Sequence, residues 1–108
     1  MPQIIVKGVS HEQANQLAVT AAPKLSKICD CPADWFVFDY IHSDFFDQSG
    51  AIPHFPVLQI WWFKRPQEVQ NKVALELDSL LKAMGHTATQ ISFHIFEESS
   101  YYEDGEHY

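Results

Sequence analysis

What the chain has little of narrows its function first. Only two cysteines occur, Cys29 and Cys31, and their C-x-C spacing is poor geometry for a disulfide within one short segment. No second Cys or His pair stands at ligand spacing, so a closed zinc site is not expected and two free thiols in a reducing compartment are. Cations are scarce: 7 Lys and Arg against 14 Asp and Glu leave a net charge of −7. Nucleic-acid phosphates need clustered positive charge, so nucleic acid is excluded as a partner. No apolar run approaches the roughly 20 residues that span a bilayer, and no basic-then-apolar leader opens the chain. A cytoplasmic location and no membrane partner are therefore expected. His42, Asp44, Asp47 and His54 share one stretch, but their spacing matches no familiar metal site, and neither a metal nor a cofactor is expected.

What is abundant is apolar surface. A hydrophobic content of 46 %, with 8 Phe, 4 Tyr and 3 Trp in 108 residues, suits one domain over residues 1–108 with a two-layer core. Much of the acid lies in a C-terminal tail, residues 97–108, rich in Glu and Tyr. The body is close to charge balance and can still hold an anionic small molecule with its few cations.

Periodicity divides the chain into strands and helices. The first strand runs from Gln3 to Val9, with Ile4 and Val6 on the face that carries Pro2, and Ile5 and Val9 on the other. Ser10 with Gln13 forms a capping box for a helix whose inner stripe is Ala14, Leu17, Ala18, Ala21, Leu25 and Ile28. Pro23 within it should kink it or split off its last turns. A second strand, Asp34 to Ile41, points Phe36, Phe38 and Tyr40 one way and Trp35, Val37, Asp39 and Ile41 the other. Residues 42–56 read as a loop, punctuated by Ser49-Gly50, Pro53 and Pro56, whose Phe45, Phe46 and Phe55 should pack against something. The third strand is Val57 to Phe63. Lys64-Arg65-Pro66 then opens a helix with Val69, Val73, Leu77, Leu80, Leu81 and Met84 inward, closed by Gly85. The fourth strand, Gln90 to Glu97, alternates Ile91, Phe93 and Ile95 with Ser92, His94 and Phe96.

The order β-α-β, loop, β-α-β predicts an α+β fold: a two-layer sandwich from a doubled β-α-β unit, with a four-stranded mixed sheet and two helices on one face. A ferredoxin-like sandwich shares this order but interleaves its strands differently. The first three strands carry apolar residues on both faces, and two helices cover only one. The second face predicts a symmetric homo-oligomer, the alternative being a monomer that uses the 42–56 loop and the tail as a lid.

Pro2 directly follows the initiator methionine. If that methionine is removed, Pro2 becomes a secondary amine. An α-amino group titrates near ~8; burial or a nearby cation lowers that value, making a general base for neutral pH. The plain alternative is a proline near a terminus, where its missing N–H does no harm.

The proline after methionine, the Ile4-Ile5-Val6 strand, the doubled β-α-β unit and the two-faced strands together resemble the tautomerase superfamily. That is the group of 4-oxalocrotonate tautomerase, 5-carboxymethyl-2-hydroxymuconate isomerase and macrophage migration inhibitory factor, with a branch of small bacterial proteins nearest. The resemblance covers residues 2–97, and its specific motif is the Pro2 strand. It implies cofactor-free keto-enol proton transfer on a small anionic keto or enol acid, at sites between subunits of an oligomer, with a homotrimer favoured. Carried over by residue, it implies Pro2 as the catalytic base, Trp62, Phe63 and Lys64 as walls of its pocket, and Ser92 and His94 as polar groups from a neighbouring subunit. From the residues themselves, Lys64 and Arg65, adjacent cations at a strand end beside a helix N-terminus, would bind an anionic group, and His94 would polarise an enolate oxygen or shuttle a proton as a second catalytic group. Lys64-Arg65 also reads as a solvated turn, His94 as a satisfied strand histidine, and Trp61 and Trp62 as core or interface. Two departures stand out: Asp30 lies near where the inhibitory-factor branch has a lysine just before the second strand, and Asp39 where the oxalocrotonate branch has an arginine. A carboxylate there repels an anion and raises the proline amine's pKa. Asp39 on an apolar face needs a partner, such as Lys7, Lys64 or His94 across an interface. A second reading keeps the fold without catalysis: an oligomeric binding protein that engages a partner through its acidic aromatic tail.

Overall fold

A computed structural model describes residues 2–108. In chain order it contains β1 (Gln3–Lys7), α1 (His11–Cys29), β2 (Val37–Tyr40), β3 (Phe45–Asp47), β4 (Gly50–Ile52), β5 (Val57–Trp62), α2 (Gln67–Ala83), β6 (Gln90–Ile95), β7 (Tyr102–Glu103) and β8 (Glu106–His107). Four strands form the main sheet in the order β2-β1-β5-β6. β1 is parallel to β2, β5 is parallel to β6, and the two pairs meet antiparallel at β1 and β5. Strands joined by one helix are therefore neighbours. This is the doubled unit with a mixed sheet, and not the interleaved ferredoxin-like order.

Alternation along the strands decides which side chains meet the helices. Ile4, Val6, Leu58, Ile60 and Trp62 are buried against Leu17, Ala21 and Leu25 of α1 and Val73, Leu77 and Leu81 of α2. Removing one such side chain from water is worth about 1.5–3 kcal/mol, so this layer carries the fold. The start of α1 follows from its sequence: the Ser10 hydroxyl accepts from the Gln13 N–H at 3.1 Å while the Gln13 side chain accepts from the Ser10 N–H at 3.5 Å. Between β1 and α1, Gly8 has φ +79°, and an added Cβ would fall 1.8 Å from the Phe55 carbonyl oxygen. Only glycine fits that crossing. The turn at Gly8 also brings Val9 into the core, where plain alternation would put it on the opposite face.

Four further expectations are corrected. α1 is one continuous helix through Pro23. Pro23 lies on the exposed face, and Val19, four residues before it, is 68 % exposed, so the carbonyl left without an N–H partner can be hydrated. The 42–56 segment is no plain loop. β3 and β4 form a hairpin, closed by Asp47, whose carboxylate accepts from the Ser49 N–H at 2.8 Å and the Ser49 hydroxyl at 2.5 Å. Within it Phe45 packs edge-on against Phe55 at 5.0 Å, whereas Phe46 is 69 % exposed. Trp35 lies outside β2, in a 3-10 turn over Ala33–Trp35. The tail, finally, is a second hairpin of β7 and β8. Its turn is Asp104-Gly105, with φ 54° and 86°, the positive pair that tight hairpins favour at Asp-Gly.

The face away from the helices is open. Its rows run Val37, Gln3, Trp61, His94 and then Asp39, Ile5, Gln59, Ser92 across the four strands. It is a mixed surface of apolar and polar groups, with Val37 at 52 % and Ile41 at 38 % exposure. Among the described residues, no helix is long and apolar enough to cross a membrane.

Candidate active site at Pro2

Pro2 stands at the head of β1 and shares the helix-facing side of the strand with Ile4 and Val6. It is fully buried, and its carbonyl accepts from the Val37 N–H at 3.3 Å. The antiparallel register that sets Gln3 against Trp61 brings the end of β5 alongside it. A cavity of about 240 Å³ results, lined by Pro2, Trp35, Trp62, Phe63, Lys64, Arg65 and Tyr108. One face of a strand, one strand end and one turn thus bring together five of the residues expected at a site: Pro2, Trp62, Phe63, Lys64 and Arg65.

The walls are mainly aromatic and the cations sit at one end. Arg65 is half-buried, with its guanidinium carbon 5.3 Å from the centre of the Trp62 ring and its Nη1 donating to the Cys29 carbonyl at 3.4 Å. Trp62 Nε1 and Arg65 Nε are buried N–H donors with no acceptor among the described residues. Such donors cost about 1–3 kcal/mol each if left unsatisfied, so this region offers hydrogen bonds that the chain itself does not use. Beside them Cys29 is buried, and burial pushes its thiol up, opposed in part by the positive charge of Arg65. It is a neutral thiol and no nucleophile at neutral pH.

Ser92, His94 and Asp39 are not brought to this cavity within one chain. Ser92 and His94 lie on the open face, where the hydroxyl and His94 Nε2 are 2.9 Å apart and the imidazole stacks on Trp61 at 4.3 Å and 17°. Asp39 is exposed there and lines a separate cavity of about 450 Å³ with Gln3, Ile5, Val37, Phe38, Tyr101 and Glu103. The buried, paired carboxylate expected at Asp39 is therefore absent from the single chain. Among the described residues the ion pairs are Lys24–Glu76, His54–Asp44 and Lys82–Asp78, and none includes Asp39. Of the four residues weighed as ligands in the 42–56 segment, His54 and Asp44 approach to 3.9 Å and Asp47 is spent on its turn. No group of three or more His, Cys, Asp or Glu among the described residues is placed to hold a metal.

Sequence reasoning missed Trp35 and Tyr108. Tyr108 lies flat on Phe63 at 5.0 Å and 17°, and its hydroxyl donates to the Glu103 carboxylate. That bond, with burial and the carboxylate's charge behind it, pushes the phenol up to about 12. The signal for its position was the Asp104-Gly105 turn, which sends the chain back toward the end of β5.

The chain matches the domain of unknown function DUF1904 over residues 1–107. It belongs to the DUF1904 family. A crystal structure of a DUF1904 domain from Sebaldella termitidis ATCC 33386 is 32 % identical, with a TM-score of 0.93 and 100 % of each chain covered. A macrophage migration inhibitory factor-like protein from Entamoeba histolytica matches at 11 % identity and a TM-score of 0.75, covering 99 % of this chain and 98 % of that one. A wild-type fused 4-OT, described as an asymmetric trimer, matches at 12 % identity and a TM-score of 0.83, covering 97 % and 94 %. At such identities the likeness is one of fold: this DUF1904 chain has the tautomerase fold that its first strand suggested. No curated protein matches the DUF1904 chain.

Proposed function

We propose that the protein is a cofactor-independent tautomerase whose base is the secondary amine of Pro2, exposed by removal of the initiator methionine. The observation that carries this reading is the shared cavity: a fully buried Pro2 beside Lys64 and Arg65 under aromatic walls. Low-dielectric surroundings and nearby cations both disfavour a protonated amine and hold it in its basic form near neutral pH. In the reaction, the amine takes a proton from the carbon next to a substrate carbonyl. The C–H electron pair becomes the C=C bond of an enolate and the carbonyl π pair moves to oxygen, which the same proton then neutralises. Nothing is oxidised and no group is lost. Lys64 and Arg65 would hold the substrate's carboxylate, and the unused Trp62 and Arg65 N–H donors would face developing negative charge.

We read residues 1–108 as one tautomerase-like domain that works as a homo-oligomer, with a trimer favoured. The open face supports this through its exposed Val37 and Ile41, as does the trimeric fused 4-OT of the same fold. In such an assembly His94 and Ser92 would reach the Pro2 cavity from a neighbouring subunit, and Asp39 would meet a cation there. The test is to incubate untagged, methionine-processed protein with phenylpyruvate and 2-hydroxymuconate, then repeat with Pro2→Ala. The expected result is turnover that Pro2→Ala lowers by about 10²-fold or more. Turnover at background in both forms would overturn the proposal.

One observation favours the non-catalytic reading: Tyr102 is 62 % exposed in the acidic tail. A binding protein using that tail would lose partner capture, but keep its oligomer, when residues 98–108 are removed.

A further inference from the structure

The terminal hairpin gives the Pro2 cavity a wall that the rest of the fold does not supply. Each of its strands has two residues, and a two-stranded hairpin of that size is not stable alone. What holds it is a cluster of rings. Tyr108 stacks on Phe63, Tyr101 stands edge-on to both at 5.1 Å, and Phe96 lies 4.7 Å from Tyr101. The Tyr108 N–H donates to the Tyr101 carbonyl at 3.1 Å, and the Tyr108 hydroxyl is tied to Glu103.

Tyr108 is also a partition. Together with Phe63 and Lys64 it lines the Pro2 cavity of about 240 Å³ and, on its other side, a second cavity of about 580 Å³ that contains Glu97 and Glu98. Lys64 borders both spaces, Pro2 and Arg65 line the first alone, and Glu97 and Glu98 the second alone. A small anion bound beside Lys64 and Arg65 is shielded from that rim by the phenol ring. Without the ring the two spaces merge into a larger, less cationic groove.

We propose that Tyr108 is the specificity-determining wall of the Pro2 cavity, restricting it to small planar carboxylic acids and screening them from Glu97 and Glu98. This rests on the tautomerase reading only in taking an acid as the ligand. Selection therefore resides in a thinly anchored hairpin, while the proline leads directly into β1 and the cations follow directly from β5. Hairpin displacement admits larger acids and weakens small ones.

The experiment titrates the full chain and its Tyr108→Ala, Tyr108→Phe and Glu103→Gln variants with two anionic probes, following quenching of Trp35 and Trp62 or probe fluorescence. Phenylpyruvate is the small planar acid and 8-anilinonaphthalene-1-sulfonate the larger one. Circular dichroism checks that each variant is folded. Tyr108→Ala is expected to bind phenylpyruvate about tenfold more weakly and the larger probe several-fold more tightly. Tyr108→Phe, which keeps the stacked ring, and Glu103→Gln should remain within about threefold of wild type for both. Parallel changes for the two probes in Tyr108→Ala, or no phenylpyruvate binding to the wild type, would overturn the inference. A selectivity switch without any turnover would uphold the wall and sink the tautomerase reading. Turnover with a size preference indifferent to Tyr108→Ala would do the reverse.

Discussion

The two faces of the main sheet are built from alternate residues of the same strands, yet they differ in kind. Toward the helices, Ile4, Val6, Leu58, Ile60 and Trp62 are sealed from solvent. Toward the open side, Val37 and Ile41 stand exposed among Gln3, Asp39, Gln59 and Ser92. The first face is complete in one chain. The second is open in one chain, and its mixture of apolar and polar groups is the composition that an interface with specific pairing uses, as against a bare core. The Pro2 cavity belongs to the first face, so its proline, aromatic walls and cations are assembled within one chain.

The largest way to test this contrast is to damage the sealed layer. Leu25→Ala should cost about 2–5 kcal/mol, read as a lower urea midpoint with an unchanged slope. On the open face, Val37→Asp should abolish self-association in sedimentation equilibrium while leaving the intrinsic stability of the single chain within about 0.5 kcal/mol, as for an ordinary surface change. A comparable loss of stability from both variants at protein concentrations where wild type is a single chain would erase the distinction. Smaller is the effect of pH on the sealed side. Because burial raises Cys29 above 9.0, the folded state holds its proton where the unfolded state releases it. That contribution is present below pH 9, and stability falls as pH rises through the window above it. Cys29→Ala should flatten this slope in urea titrations between pH 8 and 10. The smallest change concerns the approach to β6. Asp78 accepts from the Thr89 hydroxyl, which is the main cause of its lowered pKa, with Lys82 behind it. Its stabilising share is present above the ordinary carboxylate value of 3.8 and disappears as pH falls below it. Thr89→Val should return the Asp78 titration, followed by carboxyl NMR, toward 3.8 and cost under about 1 kcal/mol at neutral pH.

What could be read from the sequence follows from how local each signal is. The capping box at Ser10 and Gln13, the inward stripes of both helices and the four main strands depend on period and caps within a few residues, and they form as expected except that β1 ends at Lys7 and β2 covers only Val37–Tyr40. The gathering of Pro2 with Trp62, Phe63, Lys64 and Arg65 follows once the ends of the first and third strands are set side by side. Less legible was anything that turns on one or two residues. Gly8 redirects Val9 into the core because its contact is with Phe55, remote in sequence. Pro23 is tolerated because it faces solvent, a fact of packing. Tyr108 reaches the Pro2 cavity through an Asp104-Gly105 turn set in a run of acidic residues, whose composition did not show where the tail would pack. His94 and Asp39 pointed away from the cavity by strand alternation alone, so any role for them at Pro2 belongs to an assembly.

The central claim, that a buried amine at Pro2 is the base, is tested most directly by titrating native, untagged protein labelled with ¹⁵N-proline by NMR, after mass spectrometry of its first residue. The account predicts a chain that begins at Pro2 and an amine nitrogen titrating below the ordinary α-amino value of ~8. A chain that retains Met1, or a Pro2 amine that titrates at or above that value, would contradict it.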